Sequence, residues 1–483
     1  MGAQKNNLKT TVAPPVRKST TLQFLFDLDS KCCTSQTNDK CTRSLNSRDD
    51  ELSTIIIYCT ECGYDAQESA LKRLKLTQLL SIIKTSVTPV SDETLEILLK
   101  MVGSNLFRCL PPPSSSAVCS SEEDDVIIAA PSAAWAHLQI VYDILLRLII
   151  KNDVKALRGE YNGGARTLNQ GMLRREHFIG RNFVLNLLTL FNSDEPRERD
   201  AVKNIVHRIY SKFTFYRSFM RQAMIDIFLR FIYEPDHRQN GIGEILEIWG
   251  SIINGLMVPL KDEHKAFLSR VLIPLHKPKN MAAYHRQLSY CVSQFVQKEA
   301  ELGAVVIGKV LRYWPVTNCR KEVLLIGEME EIAENIDRRQ YLKVALPLWI
   351  QITKCITSNN SQVAERALYV WNNEQFMKVV SQDIEMVFPY LVEALEKNLT
   401  CHWSTSVQDL TQNVKILLEE LEPTLYKTCL EMIKIHELTA RLEENTRRRK
   451  WERIEMISRE HILQVICNDY QKFSNITVSE FDE

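Results

Sequence analysis

In VHRIYSKFTFYR, residues 206 to 217, His207, Tyr210, Thr214 and Arg217 follow one another at steps of three, four and three residues. On a helix that spacing lines polar and amphipathic groups along one edge, beside the apolar stripe of Ile205, Ile209 and Phe213. An imidazole, a phenol hydroxyl and a guanidinium are the groups that hold a carboxylate or a phosphate. Downstream, Ile248 and Ile252 stand one turn apart on the flank that carries Glu244 and Ser251, leaving Ile245, Trp249 and Ile253 to fill a core. Lys261 and His264 again sit one turn apart at the next helix start. A lone histidine or arginine beside an apolar stripe is most often a satisfied edge residue. Here the set spans three successive helices, and the expectation is cations, an aromatic hydroxyl and two exposed aliphatics on adjacent edges, suited to a short peptide with apolar anchors and acids.

The energetics fit a transient ligand. Two aliphatic anchors at ~1.5 to 3 kcal/mol each and one charge-assisted contact at ~1.5 to 3 kcal/mol give a gross ~5 to 9 kcal/mol. Ordering a flexible peptide removes ~2 kcal/mol or more. The remainder corresponds to roughly millimolar to ten-micromolar affinity, so one added acid or phosphate would change occupancy strongly.

Such edges must be positioned by helices, and the chain supplies them. From Trp135 to about Leu421 it is a succession of amphipathic segments such as WAHLQIVYDILLRLIIK, RNFVLNLLTLF, GEILEIWGSIINGLM and YHRQLSYCVSQFV, joined by short polar turns. Alternation with period two is nearly absent, so the fold class is all-α. Helix pairs recurring about every 40 residues predict a HEAT-like α-solenoid, in which each pair buries its apolar face only by stacking on its neighbours and the second helix of each pair lines a concave groove. The expected organisation is a mostly disordered polar tail over 1–50, helical repeats over 51–110, a Pro/Ser/acidic loop or linker over 111–130, the solenoid over 131–422 with an inserted Gly-rich loop at about 157–175, and a charged helix and tail over 423–483. In that last helix Trp451 and Ile454 read as its apolar contacts, and Arg447 to Lys450 as a solvated face or a nuclear signal.

Composition narrows the function. The 483 residues include only 15 Gly and 16 Pro, with 45% hydrophobic and 25% charged residues, as in a helix-rich folded chain. Lys plus Arg and Asp plus Glu are 60 each, so no global field draws the protein to nucleic acid or an anionic membrane. No apolar run reaches membrane-spanning length and no apolar segment follows the basic residues of MGAQKNNLKTTVAPPVRK, which predicts an intracellular, cytoplasmic protein. Asn6 stands where a myristoylation signal wants Ser or Thr. The 13 cysteines read as free thiols; Cys59 and Cys62, with Cys32, Cys33 and Cys41, lack the paired spacing of a zinc site. No P-loop, H-E-x-x-H or G-x-S-x-G is present, and no nucleophile, base or metal set assembles. The expectation is a non-enzyme without cofactor.

The blocks DEPRERD (194–200), HRIYSKF (207–213), FIYE (231–234), NGIGEILEIWGSIING (240–255), PLKDEHKAFL (259–268), YWPVTN (313–318), VAERAL (363–368) and WNNE (371–374) resemble the B-prime regulatory subunits of protein phosphatase 2A. The resemblance runs from about Trp135 to Glu422, with VRKSTTLQFL (16–25) a further echo; residues 30–130 and the 157–175 insertion match poorly. It implies a HEAT-like solenoid that docks on a scaffold subunit and a metallophosphatase catalytic subunit, and that selects substrates by holding a short LxxIxE motif. By matched position it places His207, Arg208, Tyr210, Arg217, Ile248, Ile252, Lys261 and His264 in the groove: Tyr210, Ile248 and Ile252 toward the motif's apolar side chain, and Arg217, His207 and Lys261 toward its acids or a phosphate. Glu195 and Glu198 match a regulatory acidic loop near the catalytic partner. Asn204 stands where the family has Thr, Ser211 where it has Gly and Thr214 where it has Leu, which implies a shallower or more polar pocket; HRQNG (237–241) is one residue longer than the family's loop. The reading from a different class is a solenoid adaptor or scaffold that binds peptides without a phosphatase.

Overall fold

In WAHLQIVYDILLRLIIK the apolar positions recur at three- and four-residue steps, and Leu138, Val141, Tyr142, Leu145, Leu148 and Ile149 are all buried on one face. Segment after segment repeats this arrangement, and no strand occurs among the described residues of the computed structural model, which are 45–60, 66–86, 91–110, 134–157, 178–234 and 239–479. The helices are α1 Leu45–Thr60, α2 Ala66–Thr85, α3 Asp92–Leu106, α4 Trp135–Lys151, α5 Val154–Leu157, α6 Arg181–Thr189, α7 Pro196–Lys212, α8 Arg217–Tyr233, α9 Ile242–Asn254, α10 Asp262–Phe267, α11 His285–Lys298, α12 Glu301–Leu311, α13 Cys319–Glu334, α14 Arg338–Ile356, α15 Ser361–Tyr369, α16 Glu374–Val380, α17 Phe388–Cys401, α18 Thr405–Leu421 and α19 Pro423–Ser479. Residues 55–483 form one unit and Met1–Thr54 another. The linker expected over 111–130, most of the 157–175 insertion and most of the 1–50 tail lie outside the described residues.

Two layers build the larger unit. In one, α2, α4, α7, α9, α11, α13, α15 and α18 pack each against the next; in the other, α12, α14, α17 and α19 do the same. The layers are joined within pairs, as α6 on α7, α14 on α15 and α17 on α18. First-layer helices begin at Pro196, Ile242, His285, Cys319, Ser361 and Thr405, a repeat of about 40 residues. This is the HEAT-like α-solenoid expected from the segment lengths.

A recurring polar device ties several helices to the one before them in their layer. A helix leaves its last carbonyls unpaired, and a cation there also meets the negative end of the helix dipole. Lys151 Nζ donates to the carbonyls of Ile83 and Ser86 beyond α2, and Lys212 Nζ to those of Ile149 and Asn152 beyond α4. Lys298 Nζ reaches Asn254 at 3.0 Å and Leu256 at 2.8 Å beyond α9. Farther along, Asn398 Nδ2 donates to Ile356 O at 2.8 Å.

The last helix departs from expectation. Tyr426 and Cys429 are buried where α19 packs on α17 and α18, but Trp451 and Ile454, read as its apolar contacts, are 65% and 55% exposed. Nothing described covers them, because the first layer has already ended at α18.

Candidate peptide-binding groove

Helix α7 is fixed at both ends by its own sequence. Glu195 caps it by accepting from Arg197 N at 3.4 Å, and Pro196 occupies its first turn, where a missing N–H costs nothing. Val202, Ile205, Val206 and Ile209 bury one face, and Phe213 ends the helix with a non-helical ψ of 75°. His207, Arg208 and Tyr210 flank that face and are half-buried.

The chain turns through Thr214–Tyr216 into α8, whose first residue is Arg217. Its guanidinium folds back over α7: Nε donates to Tyr210 O and Nη2 to Ser211 O, each at 3.1 Å, and the group lies 5.5 Å from the Tyr210 ring centroid. One turn later Arg221 Nη1 donates to the Tyr210 hydroxyl at 3.2 Å. Tyr210 is thus held between two guanidinium groups, and because its oxygen accepts from Arg221, its own O–H is left to donate outward.

The two following helices close the site. Helix α9 packs on α7, and the pair is locked by Arg199 to Glu244 and Lys203 to Glu247, both at 2.7 Å. At the start of α10, Lys261 is exposed and His264 half-buried, with His264 Nε2 at 3.3 Å from Glu263 Oε1 and its Nδ1 buried without a partner. Burial pulls the His264 pKa below its ordinary value, and the charges of Arg221 and Lys261 add to this against the opposing Glu263. Burial also lowers His207, helped by Arg208 and Lys203. Both imidazoles are therefore neutral at pH 7. The formal cations of the site are Arg208, Arg217, Arg221 and Lys261, and the two histidines act by hydrogen bonding.

Three sequence expectations change. Ile248 and Ile252, expected as exposed aliphatics, are buried at 1% and 7% exposure. Apart from its polar flank α9 is apolar on every side, and α7, α11 and α10 between them cover it, Trp249 stacking on Phe267 at 3.9 Å. Ile248 is sealed in the core, and Ile252 keeps only a sliver of exposed surface. Glu198, expected in a regulatory acidic loop, is 1% exposed and takes hydrogen bonds from both Arg108 Nη atoms at 2.8 Å, from Tyr142 OH at 2.9 Å and from Ser193 Oγ. Burial alone would raise its pKa, yet these donors bring it below the usual carboxylate value. Glu195 is engaged by its own neighbour, Arg197 Nε, at 2.7 Å. Both glutamates belong to the start of α7, Glu198 about 18 Å and Glu195 about 22 Å along the helix from Tyr210.

The structure therefore gathers Tyr210, Arg217 and Arg221 by direct contact, and the charges of Arg221 and Lys261 both act on His264. It adds Arg221, Lys203 and Glu247, which sequence reading did not single out. Arg221 was findable as the next turn after Arg217; the Lys203 to Glu247 pair joins two helices 44 positions apart and leaves no local trace.

A family model described as "Protein phosphatase 2A regulatory B subunit (B56 family)" matches residues 42–458. The B' alpha isoform from Arabidopsis thaliana, a 57 kDa regulatory subunit of serine/threonine protein phosphatase 2A, is 41% identical over 397 residues, covering 82% of this chain and 77% of that protein. The B' kappa isoform from Oryza sativa subsp. japonica, also of 57 kDa, is 41% identical over 388 residues, covering 80% and 73%, and the 59 kDa B' eta isoform from Arabidopsis thaliana is 40% identical over 407 residues, covering 84% and 76%. All three are named regulatory subunits, and the present chain is accordingly non-catalytic. With a family model matched over most of its length and relatives this similar, the chain belongs to the B56 family of protein phosphatase 2A regulatory B subunits.

Proposed function

We propose that this chain is the substrate-targeting subunit of a serine/threonine protein phosphatase 2A trimer, docking on the scaffold and catalytic subunits and holding LxxIxE-type acidic motifs of substrates against α7, α8, α9 and the start of α10. The observation that carries the reading is the clamp of Arg217 and Arg221 on Tyr210, which fixes an aromatic wall between two permanent cations. An apolar side chain can lie on the ring and the edge of Ile252 while a carboxylate or phosphate meets Arg208, Arg217 or Lys261. The burial of Ile248 and Ile252 favours a shallow anchor over a deep one. The charge balance argues against nucleic acid as a partner, no described helix is long and apolar enough to cross a membrane, and the proposed site of action is cytoplasmic, with nuclear entry through the basic run at 447–450 as the second compartment.

Affinity purification of the tagged full chain from a eukaryotic cell tests the assembly. Scaffold and catalytic subunits are expected in near-stoichiometric amounts, with phosphatase activity in the complex and none in the isolated chain. Recovery of motif-bearing proteins without either subunit would establish instead a solenoid adaptor that binds peptides alone.

A further inference from the structure

Once Tyr426 and Cys429 have seated α19 on α17 and α18, every residue from Lys434 to Cys467 is exposed. A helix that stands alone in water is ordinarily polar on all sides. This one is not. Ile435, Leu438, Leu442, Met456, Leu463 and Ile466 are each 48% to 66% exposed. They fall on the first and fourth positions of a seven-residue repeat that starts at Ile435, with 435, 442, 449, 456 and 463 first and 438, 445, 452, 459 and 466 fourth. That spacing is the seam of a two-stranded coiled coil. In its middle the apolar pattern gives way to Asn445, Arg449, Glu452 and Arg459.

The order of these residues says what fits the seam. In an antiparallel pair the first positions of one helix meet the fourth positions of the other, and two-fold symmetry makes every contact occur twice. With the axis between positions 450 and 451, Ile435 faces Ile466 of the second copy, Leu438 faces Leu463, and Arg449 faces Glu452. Leu442 faces Arg459, whose aliphatic stem can lie along it. On the flank, Arg448 comes beside Glu455 of the second copy. The seam is thus complementary to itself reversed, apolar at both ends and oppositely charged at the centre. Laid parallel, it would set Arg449 on Arg449, Glu452 on Glu452 and Arg459 on Arg459, all repulsive. Among the described residues Arg449 makes no ion pair, whereas Arg447, Arg448 and Arg459 pair along the helix with Glu444, Glu452 and Glu455.

We propose that α19 is a self-association element: two copies of this chain join as an antiparallel coiled coil over residues 435–466, a shared seam of about 46 Å, with the reciprocal Arg449 and Glu452 pairs setting its orientation and register. Trp451 and Ile454 lie off this seam and stay exposed in the dimer. The inference is independent of the peptide groove and of assembly with a phosphatase.

Sedimentation equilibrium of the purified full chain over about 1 to 100 µM tests this, with circular dichroism as the fold control. The unmodified chain is expected to pass from monomer to dimer within that range. Arg449→Glu turns both central pairs into like charges and should weaken the dimer by about ten-fold or more. In a parallel coil, where like charges already face each other, the same change would have little effect. Combining Arg449→Glu with Glu452→Arg restores opposite charges across the seam and should return the affinity to within about three-fold of the unmodified chain. Trp451→Ala, off the seam, should leave it unchanged. A chain that stays monomeric throughout, a dimer indifferent to Arg449→Glu, one that the double exchange does not restore, or one that Trp451→Ala dissociates, overturns the proposal.

Discussion

Arg217→Ala is expected to weaken binding of an LxxIxE peptide by roughly 10- to 150-fold, the loss of one charge-assisted contact worth ~1.5 to 3 kcal/mol. Two effects act together. The guanidinium that would meet the peptide's acid is removed, and the Tyr210 ring loses one of the two groups that hold it. Arg217→Lys should recover only part of the loss, because an ammonium cannot bond two carbonyls in a fork while lying flat on a ring. Fluorescence anisotropy with a labelled peptide measures this, with far-ultraviolet circular dichroism as the fold control. Arg217 begins its helix and is half-buried, so helicity should be retained. Unchanged peptide affinity would remove Arg217 from the site.

The second large effect lies away from the groove, where irregular turns after α10 meet α11 and α13. Glu328 is fully buried and faces two histidines: His276 Nε2 at 3.1 Å from Oε1, and His285 Nε2 at 2.8 Å from Oε2. His276 Nδ1 donates to Ile273 O at 2.8 Å, and Lys321 Nζ donates to His276 O at 2.8 Å. Burial alone would raise the Glu328 pKa, but the charge of His276 and the bonds from both rings bring it down to about 2. Burial likewise opposes the charged form of His276, and Glu328 overcomes it, so that the His276 pKa is raised.

The signs then fix the pH behaviour. A carboxylate whose folded pKa is depressed contributes stability above its unfolded value of about 4.3, and the contribution is lost as pH falls toward 2. A histidine whose folded pKa is raised contributes stability fully below its unfolded value of about 6.5, and this is lost as pH rises through the folded value. The cluster should stabilise most between about pH 4.3 and 6.5, with the thermal midpoint declining at higher pH. Glu328→Ala is expected to cost ~3 to 5 kcal/mol, as for breaking a buried pair. In Glu328→Gln burial and the Lys321 charge govern His276 and make its charged form unfavourable, so the midpoint should rise with pH up to about 6.5 and then level. Thermal unfolding from pH 5 to 9 checks this; a Glu328→Gln midpoint that falls above pH 6.5 as the wild type's does, or a wild-type midpoint flat there, would show that the cluster does not act as a coupled unit.

Sequence pattern carried the fold a long way because in a solenoid most of the information is local. The period that buries Leu138, Val141, Leu145 and Leu148 is written in the segment itself, and the repeat of about 40 residues follows from segment lengths. The polar edge of α7 was legible for the same reason: His207, Tyr210 and Arg217 are placed by helical spacing and one short turn. What failed required knowledge of neighbours. Periodicity sets Ile248 and Ile252 on one flank of α9 but cannot say that α7 and α11 would cover it. Glu198 reads as one acid in a charged loop until Arg108 arrives from 90 positions upstream. The histidines read as cations because burial, which neutralises them, is a tertiary property. The lysines that cap preceding helices, such as Lys298 over α9, appear from sequence as ordinary surface charges.

The central claim is that the flanks of α7, α8, α9 and the first turn of α10 form one peptide-holding surface, and it is tested most directly by amide hydrogen–deuterium exchange of the full chain with and without a saturating LxxIxE peptide. The account predicts slowed exchange concentrated in residues 207–221 and 248–264, with α14 to α18 unchanged. Protection confined to α14 to α18, or a bound peptide that leaves 207–221 unprotected, would contradict it.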